Sequence, residues 1–160
     1  MKSKLSLAWF IAAGCVLLTS CNYDAPLTPA PTRKIDARLL GDWVAMDPDA
    51  KKEEIMSVRK LDDATYAVAL DGDIYRVFHS DFAGVAFVSA QDLNSDDRKY
   101  CYYRWSLSAD GKQLTLQGVS TKVVPEKTTP AAAIQKLIKD NLSNPALFEK
   151  ELPYTRKKPK

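Results

Sequence analysis

Hydrophobic and polar positions alternate over most of the chain, and the alternation is broken at short intervals by turn residues. After Gly41 the pattern gives short strands at residues 42–46, 53–61 (EEIMSVRKL), 65–70 (TYAVAL), 73–80 (DIYRVFHS), 84–93 (GVAFVSAQDL), 99–108 (KYCYYRWSLS) and 112–120 (KQLTLQGVS), with 122–124 (KVV) as a candidate eighth. Asp71-Gly72 and Asp110-Gly111 are two-residue hairpin signals, and NSDDR (94–98) is a polar connection. Sequential strands joined this tightly describe an antiparallel meander, which must close or fold onto itself to hide its edges.

The period then changes. Thr129 suits an N-cap and Pro130 a first helical position. Ile134, Leu137, Ile138 and Leu142 recur at spacings of three and four, which predicts a helix over 130–142 with one apolar stripe on the sheet. Asn144-Pro145 opens a second short helix over 144–150 with Leu147 and Phe148 inward, and PYTRKKPK offers a brief strand before the end. The expected fold is mainly β: a seven- or eight-stranded meander with a C-terminal α-helix, with a half-open barrel or a sandwich as alternatives to a closed barrel.

The first segment follows a different pattern. Lys2 and Lys4 precede an apolar run from Leu5 to Leu18, the layout of a secretory signal peptide. At about 1.5 Å per residue that run reaches roughly 20 Å, short of a hydrocarbon core of about 30 Å. Leu18-Thr19-Ser20-Cys21 resembles the lipobox of bacterial lipoproteins. The resemblance implies cleavage before Cys21, diacylglycerol on its sulfur and acylation of the new N-terminus. Asn22, rather than Asp, after that cysteine implies the outer membrane of a Gram-negative envelope, facing the periplasm. The organisation expected is thus a signal peptide at 1–20, a lipidated Cys21 with a Pro-rich tether through residue 34 (Pro26, Pro29, Pro31), and one β-rich domain over 35–160.

Composition narrows the function classes. Without the two leader lysines, the 23 basic and 20 acidic residues nearly balance, so neither a nucleic-acid footprint nor a trap for acidic substrates is implied. With Cys15 lost with the leader and Cys21 acylated, Cys101 stands alone and is expected as an inert buried thiol on the same side as Tyr103, Trp105 and Leu107, rather than as an intermolecular bridge.

Candidate chemistry is sparse. His79 is the single histidine, which excludes multi-His zinc sites, and it is expected at a solvated or core-edge position. Asp92, Asn94 and Asp96 start like a calcium loop, but Asp97 and Tyr103 replace its glycine and glutamate, so a plain hairpin loop is expected. Arg156, Lys157, Lys158 and Lys160 read as a solvated tail, with anionic headgroups as the alternative partner. No catalytic residue, metal site or cofactor beyond the lipid on Cys21 is expected, and the chain is expected to be a monomer.

One local motif carries a second resemblance. Leu40-Gly41-Asp42-Trp43 resembles the Gly-x-Trp opening of the lipocalin and calycin barrels, which implies a small barrel closed at one end by the indole. No arginine lies between the strand series and the helix to stack on Trp43; Lys122 and Lys127 are the cations there. The resemblance implies a non-catalytic binding module for a small apolar ligand, with Trp43, Phe78, Phe87, Tyr103 and Trp105 expected inside beside Leu114 and Leu116. The alternative is an accessory envelope lipoprotein with a filled core, docking through the exposed face of the aromatic strand at Tyr100, Tyr102 and Arg104.

Overall fold

The computed structural model describes residues 22–47 and 52–158; the leader and Cys21 lie outside them. Eight antiparallel strands follow one another around a closed barrel: β1 (Gly41–Asp47), β2 (Lys52–Lys60), β3 (Thr65–Leu70), β4 (Asp73–His79), β5 (Phe87–Asp92), β6 (Tyr100–Leu107), β7 (Gln113–Gly118) and β8 (Leu152–Arg156). The β3–β4 turn has Asp71 at φ 51 and Gly72 at φ 94, the left-handed pair that matches the twist of a two-residue hairpin. It pairs Leu70 with Asp73 and Val68 with Tyr75, and so sets which residues share a face.

The barrel closes at the C-terminal strand. β8 pairs with β7 through Leu114–Tyr154 and with β1 through Trp43–Arg156, leaving no sheet edge unpaired. The eighth strand is therefore not 122–124: that stretch is a turn, and Val124 is fully buried outside the barrel.

One end is plugged. A 3-10 turn at Ala37–Leu39, capped by Asp36 accepting from the Arg38 N–H at 2.9 Å, runs beneath the barrel. Leu39 offers its carbonyl to Trp43 Nε1 at 2.9 Å, and Trp43 is fully buried. The Arg156 guanidinium carbon lies 4.3 Å from the Trp43 ring centroid. It donates to Gly111 O at 3.0 Å, to Leu40 O at 2.8 Å and to Arg38 O. Gly41, at φ 131, leaves room for this: a Cβ there would lie 2.8 Å from Arg156 Nη1. The stacking cation is thus Arg156 on the last strand, not Lys122 or Lys127, and Arg156 is no part of a frayed tail.

A second core lies outside the barrel, on β5 and β6. Helix α1 (Ala131–Asp140) buries Ile134 and Ile138 there, beside Val124, Leu147, Phe87 and Tyr102. Its N-cap is Pro130, not Thr129, and the expected second helix is a single 3-10 turn at Pro145–Leu147, capped by Asn144. The Pro-rich segment 22–34 is part of the same core rather than a free tether. Tyr23 is 3 % and Leu27 1 % exposed. Tyr23 stacks on Tyr102 with ring centroids 4.6 Å apart, and its hydroxyl donates to Val124 O at 2.6 Å. The Leu27 N–H donates to Ser89 Oγ at 3.0 Å, and Gln135 Nε2 donates to Leu27 O at 2.7 Å. The prolines keep the backbone extended, as their composition implies, and the apolar residues between them fasten it to the sheet.

Candidate functional site

Alternation along each strand sends one set of side chains inward. Met56 and Val58 from β2, Tyr66, Val68 and Leu70 from β3, Tyr75 and Val77 from β4, Val88 and Ala90 from β5, Cys101, Tyr103 and Trp105 from β6, Leu114 and Leu116 from β7, and Leu152 and Tyr154 from β8 surround a cavity of about 250 Å³. Leu39 and Trp105 lie toward the plugged end, with Trp43 packed beneath. Glu54 and Asp71 line the opposite end, where the β3–β4 turn lies, and among the described residues they are its charged lining residues. Glu54 accepts a hydrogen bond from the Tyr154 hydroxyl, and burial, reinforced by that carboxylate, pushes the phenol's pKa up. The interior is therefore large enough to hold a guest, apolar along its length and acidic at its mouth.

A buried polar chain crosses the plugged end. The Asp36 N–H donates to the Tyr66 oxygen at 2.5 Å, which lies 2.8 Å from His79 Nε2. His79 is fully buried, with its ring 5.3 Å from that of Trp105. This corrects the expected solvated or core-edge position. Desolvation, aided by Arg33, lowers its pKa to about 4, so the imidazole is neutral at pH 7. Nδ1 and Trp105 Nε1 have no hydrogen-bond partner among the described residues.

The structure divides the expected lining residues. Trp43, Tyr103 and Trp105 point inward with Leu114 and Leu116. Phe78 and Phe87 do not. Phe87 is fully buried in the outer core, stacked on Phe148 at 6.0 Å, and Phe78 faces outward beneath Arg76, whose guanidinium lies 6.0 Å from its ring. Their strand companions carried the signal: Arg76 shares a face with Phe78, and Ser89 and Gln91 share one with Phe87, whereas Tyr75, Val77, Val88 and Ala90 form the apolar face.

The expected docking face is covered by the chain itself. Tyr102 is 1 % exposed and donates to Ala25 O; Tyr100 exchanges backbone hydrogen bonds with Tyr23. Arg104 lies 4.0 Å over the Phe148 ring and donates to Gln117 Oε1 at 3.0 Å. A partner would have to displace the N-terminal segment and Phe148 to reach these residues. Sequence reasoning missed this strap, whose signal was Tyr23 and Leu27 spaced among prolines, and it missed the Tyr66–His79 pair, which alternation places on one face.

Cys101 is buried, as expected, and lines the cavity with its thiol 3.6 Å from Ala90 O. Asp92, Asn94 and Asp96 belong to the β5–β6 hairpin loop, where Asp92 accepts from the Asn94 N–H at 2.7 Å. No group of three or more His, Cys, Asp or Glu side chains suited to a metal occurs among the described residues. The site is a cavity of mixed aliphatic and aromatic wall, not a constellation of reactive groups.

Fold and site together define an eight-stranded antiparallel barrel, plugged at one end and enclosing an apolar cavity. No family model, curated protein or solved structure gives a significant match to the chain. No described helix is long and apolar enough to cross a membrane.

Proposed function

We propose that this chain is a bacterial lipoprotein, acylated at Cys21 and held on the outer membrane facing the periplasm, whose lipocalin-like barrel is a non-catalytic binding module for a small apolar molecule. The cavity carries this reading. Its volume of about 250 Å³ lies between the ~150 Å³ of an apolar cavity that accepts benzene and the ~300 Å³ at which pockets for drug-sized molecules begin. A guest of one or two rings, or a short branched chain, matches it. Support for the lipocalin resemblance comes from Trp43, which Gly41 introduces and Arg156 covers.

Charge restricts the guest further. Among the described residues the charged groups of the wall are Glu54 and Asp71; a carboxylate or phosphate would meet like charge from these two, whereas a neutral or amine-bearing end would not. The test is native mass spectrometry of the chain from Asn22 onward, which keeps every described residue, omits the apolar leader and the acylation point, and allows handling without detergent. A non-covalent adduct lost on denaturation supports the reading and gives the ligand's mass. A bare polypeptide, unchanged after incubation with envelope lipid extract, rejects it.

A further inference from the structure

Asn22, the first described residue and the chain neighbour of Cys21, is fastened at the end of the barrel where the cavity opens. The Asn22 and Tyr23 N–H groups both donate to Tyr100 O at 3.1 Å, and the Tyr100 N–H donates back to Tyr23 O at 2.8 Å. Asn22 Nδ2 adds a bond to Glu126 Oε1 at 2.9 Å. Tyr100 is the first residue of β6. In an antiparallel meander the β5–β6 loop shares its end with the β3–β4 turn, and the Leu93 N–H joins the two by donating to Ile74 O at 3.0 Å. That is the end lined by Asp71 and Glu54.

From there the N-terminal segment runs down the outside of the barrel. Leu27 is fastened at Ser89, the Thr32 N–H donates to His79 O at 2.9 Å, and the Ile35 N–H donates to Asp63 O at 3.1 Å at the plugged end. The segment that would otherwise give the anchor free length is consumed in packing. Cys21 is the chain neighbour of Asn22, and one residue spans at most about 3.6 Å.

We propose that the barrel sits mouth-down on the bilayer that holds its anchor, so that the cavity exchanges its guest with the lipid interface rather than with the periplasm. This rests on the reading that Cys21 is acylated. Two of the three exposed large apolar side chains among the described residues fit a lipid-facing rim. Ile74, 49 % exposed, is the second residue of β4 at the mouth, and Ile55, 38 % exposed, lies on the outer face of β2, one strand further round, in the half of that strand nearer the mouth; Leu61, 54 % exposed, lies at the plugged end. Charge does not draw the described part of the rim to an anionic surface, since Asp71, Asp73, Asp96 and Asp97 outnumber Arg98 and Lys99 there. The short leash imposes the orientation, and the guest is a molecule that partitions into membranes.

The test uses the full acylated chain in phosphatidylcholine vesicles, in a Cys101→Ala background, with an environment-sensitive fluorophore on Ile74→Cys or on Leu61→Cys. Strands of this length place the two ends on the order of 20 Å apart. Headgroup spin-labelled lipid should quench the label at 74 severalfold more than that at 61. Equal quenching, or more at 61, overturns the orientation. A flexible Gly-Ser insert of about twelve residues between Cys21 and Asn22 should keep the protein on the vesicles and abolish the difference. If the difference survives the insert, the leash is not its cause and the proposal fails. Failure to associate with vesicles removes the anchor and the orientation together. Native mass spectrometry of the same preparations separates the two readings: asymmetry without an adduct rejects the carrier alone, and an adduct without asymmetry rejects the orientation alone.

Discussion

Arg156 covers Trp43 from the far end of the chain, its guanidinium 4.3 Å from the ring centroid, and hydrogen-bonds the carbonyls of Leu40 and Gly111. One side chain thus ties the last strand to the entry of the first and to the β6–β7 turn. Arg156→Ala removes a cation–π contact and leaves those carbonyls without their donor, an expected loss of about 2–4 kcal/mol. Arg156→Lys should recover less than half, because an ammonium lacks the fork that reaches three carbonyls. Urea unfolding followed by tryptophan fluorescence reads both; an Arg156→Ala variant as stable as the parent would sink this account of closure.

Leu27 tests whether residues 22–34 belong to the fold. It is 1 % exposed in the outer core, so Leu27→Ala should cost about 2–5 kcal/mol, the range for truncating a buried leucine. Deleting residues 22–34 should destabilise the barrel more, since it also uncovers Tyr102 and Phe87. A free tether would show no change in either experiment.

The strand series, its turns and the C-terminal helix were legible because each has a local cause: period-two alternation, Asp-Gly turns, and the three-and-four spacing of Ile134, Leu137 and Ile138. Closure was legible only as a need. The strand that meets it, Leu152–Arg156, lies beyond the helix and is marked by five residues with a proline among them. Phe78 and Phe87 were misplaced on size alone, against polar companions that marked their faces as outer, Arg76 beside Phe78 and Ser89 and Gln91 beside Phe87; Phe87 is large and apolar there because the chain's own N-terminal segment and helix pack on it. Proline content describes the shape of residues 22–34 but not where they lie.

His79 makes stability depend on pH. Its pKa falls from the ordinary 6.5 to about 4 in the folded protein because burial disfavours the imidazolium. The unfolded chain therefore binds a proton that the native state refuses between those values. This contribution is intact above pH 6.5, is lost progressively as the pH falls toward 4, and levels off below that; its full span is about 3 kcal/mol. His79→Gln should flatten that part of the profile, measured as urea midpoints between pH 4 and 7 and compared with the parent. An unchanged slope in the variant would assign the acid sensitivity to other groups.

Two residues of β5, three positions apart and on opposite faces, separate cavity from core. Ala90 lines the cavity, whereas Phe87 is buried outside it. Ala90→Leu pushes a branched side chain into space already empty, so it should displace a guest while leaving the urea midpoint unchanged or slightly higher, since added apolar contact is gained without the strain of overpacking. Phe87→Ala should do the reverse, costing about 3–5 kcal/mol as a large buried ring is lost while the folded fraction still retains its guest. Adduct occupancy by native mass spectrometry and stability by urea unfolding should therefore move on different variants. If Phe87→Ala loses the adduct while folded and Ala90→Leu keeps it, the guest occupies the outer core beneath the N-terminal strap and not the barrel.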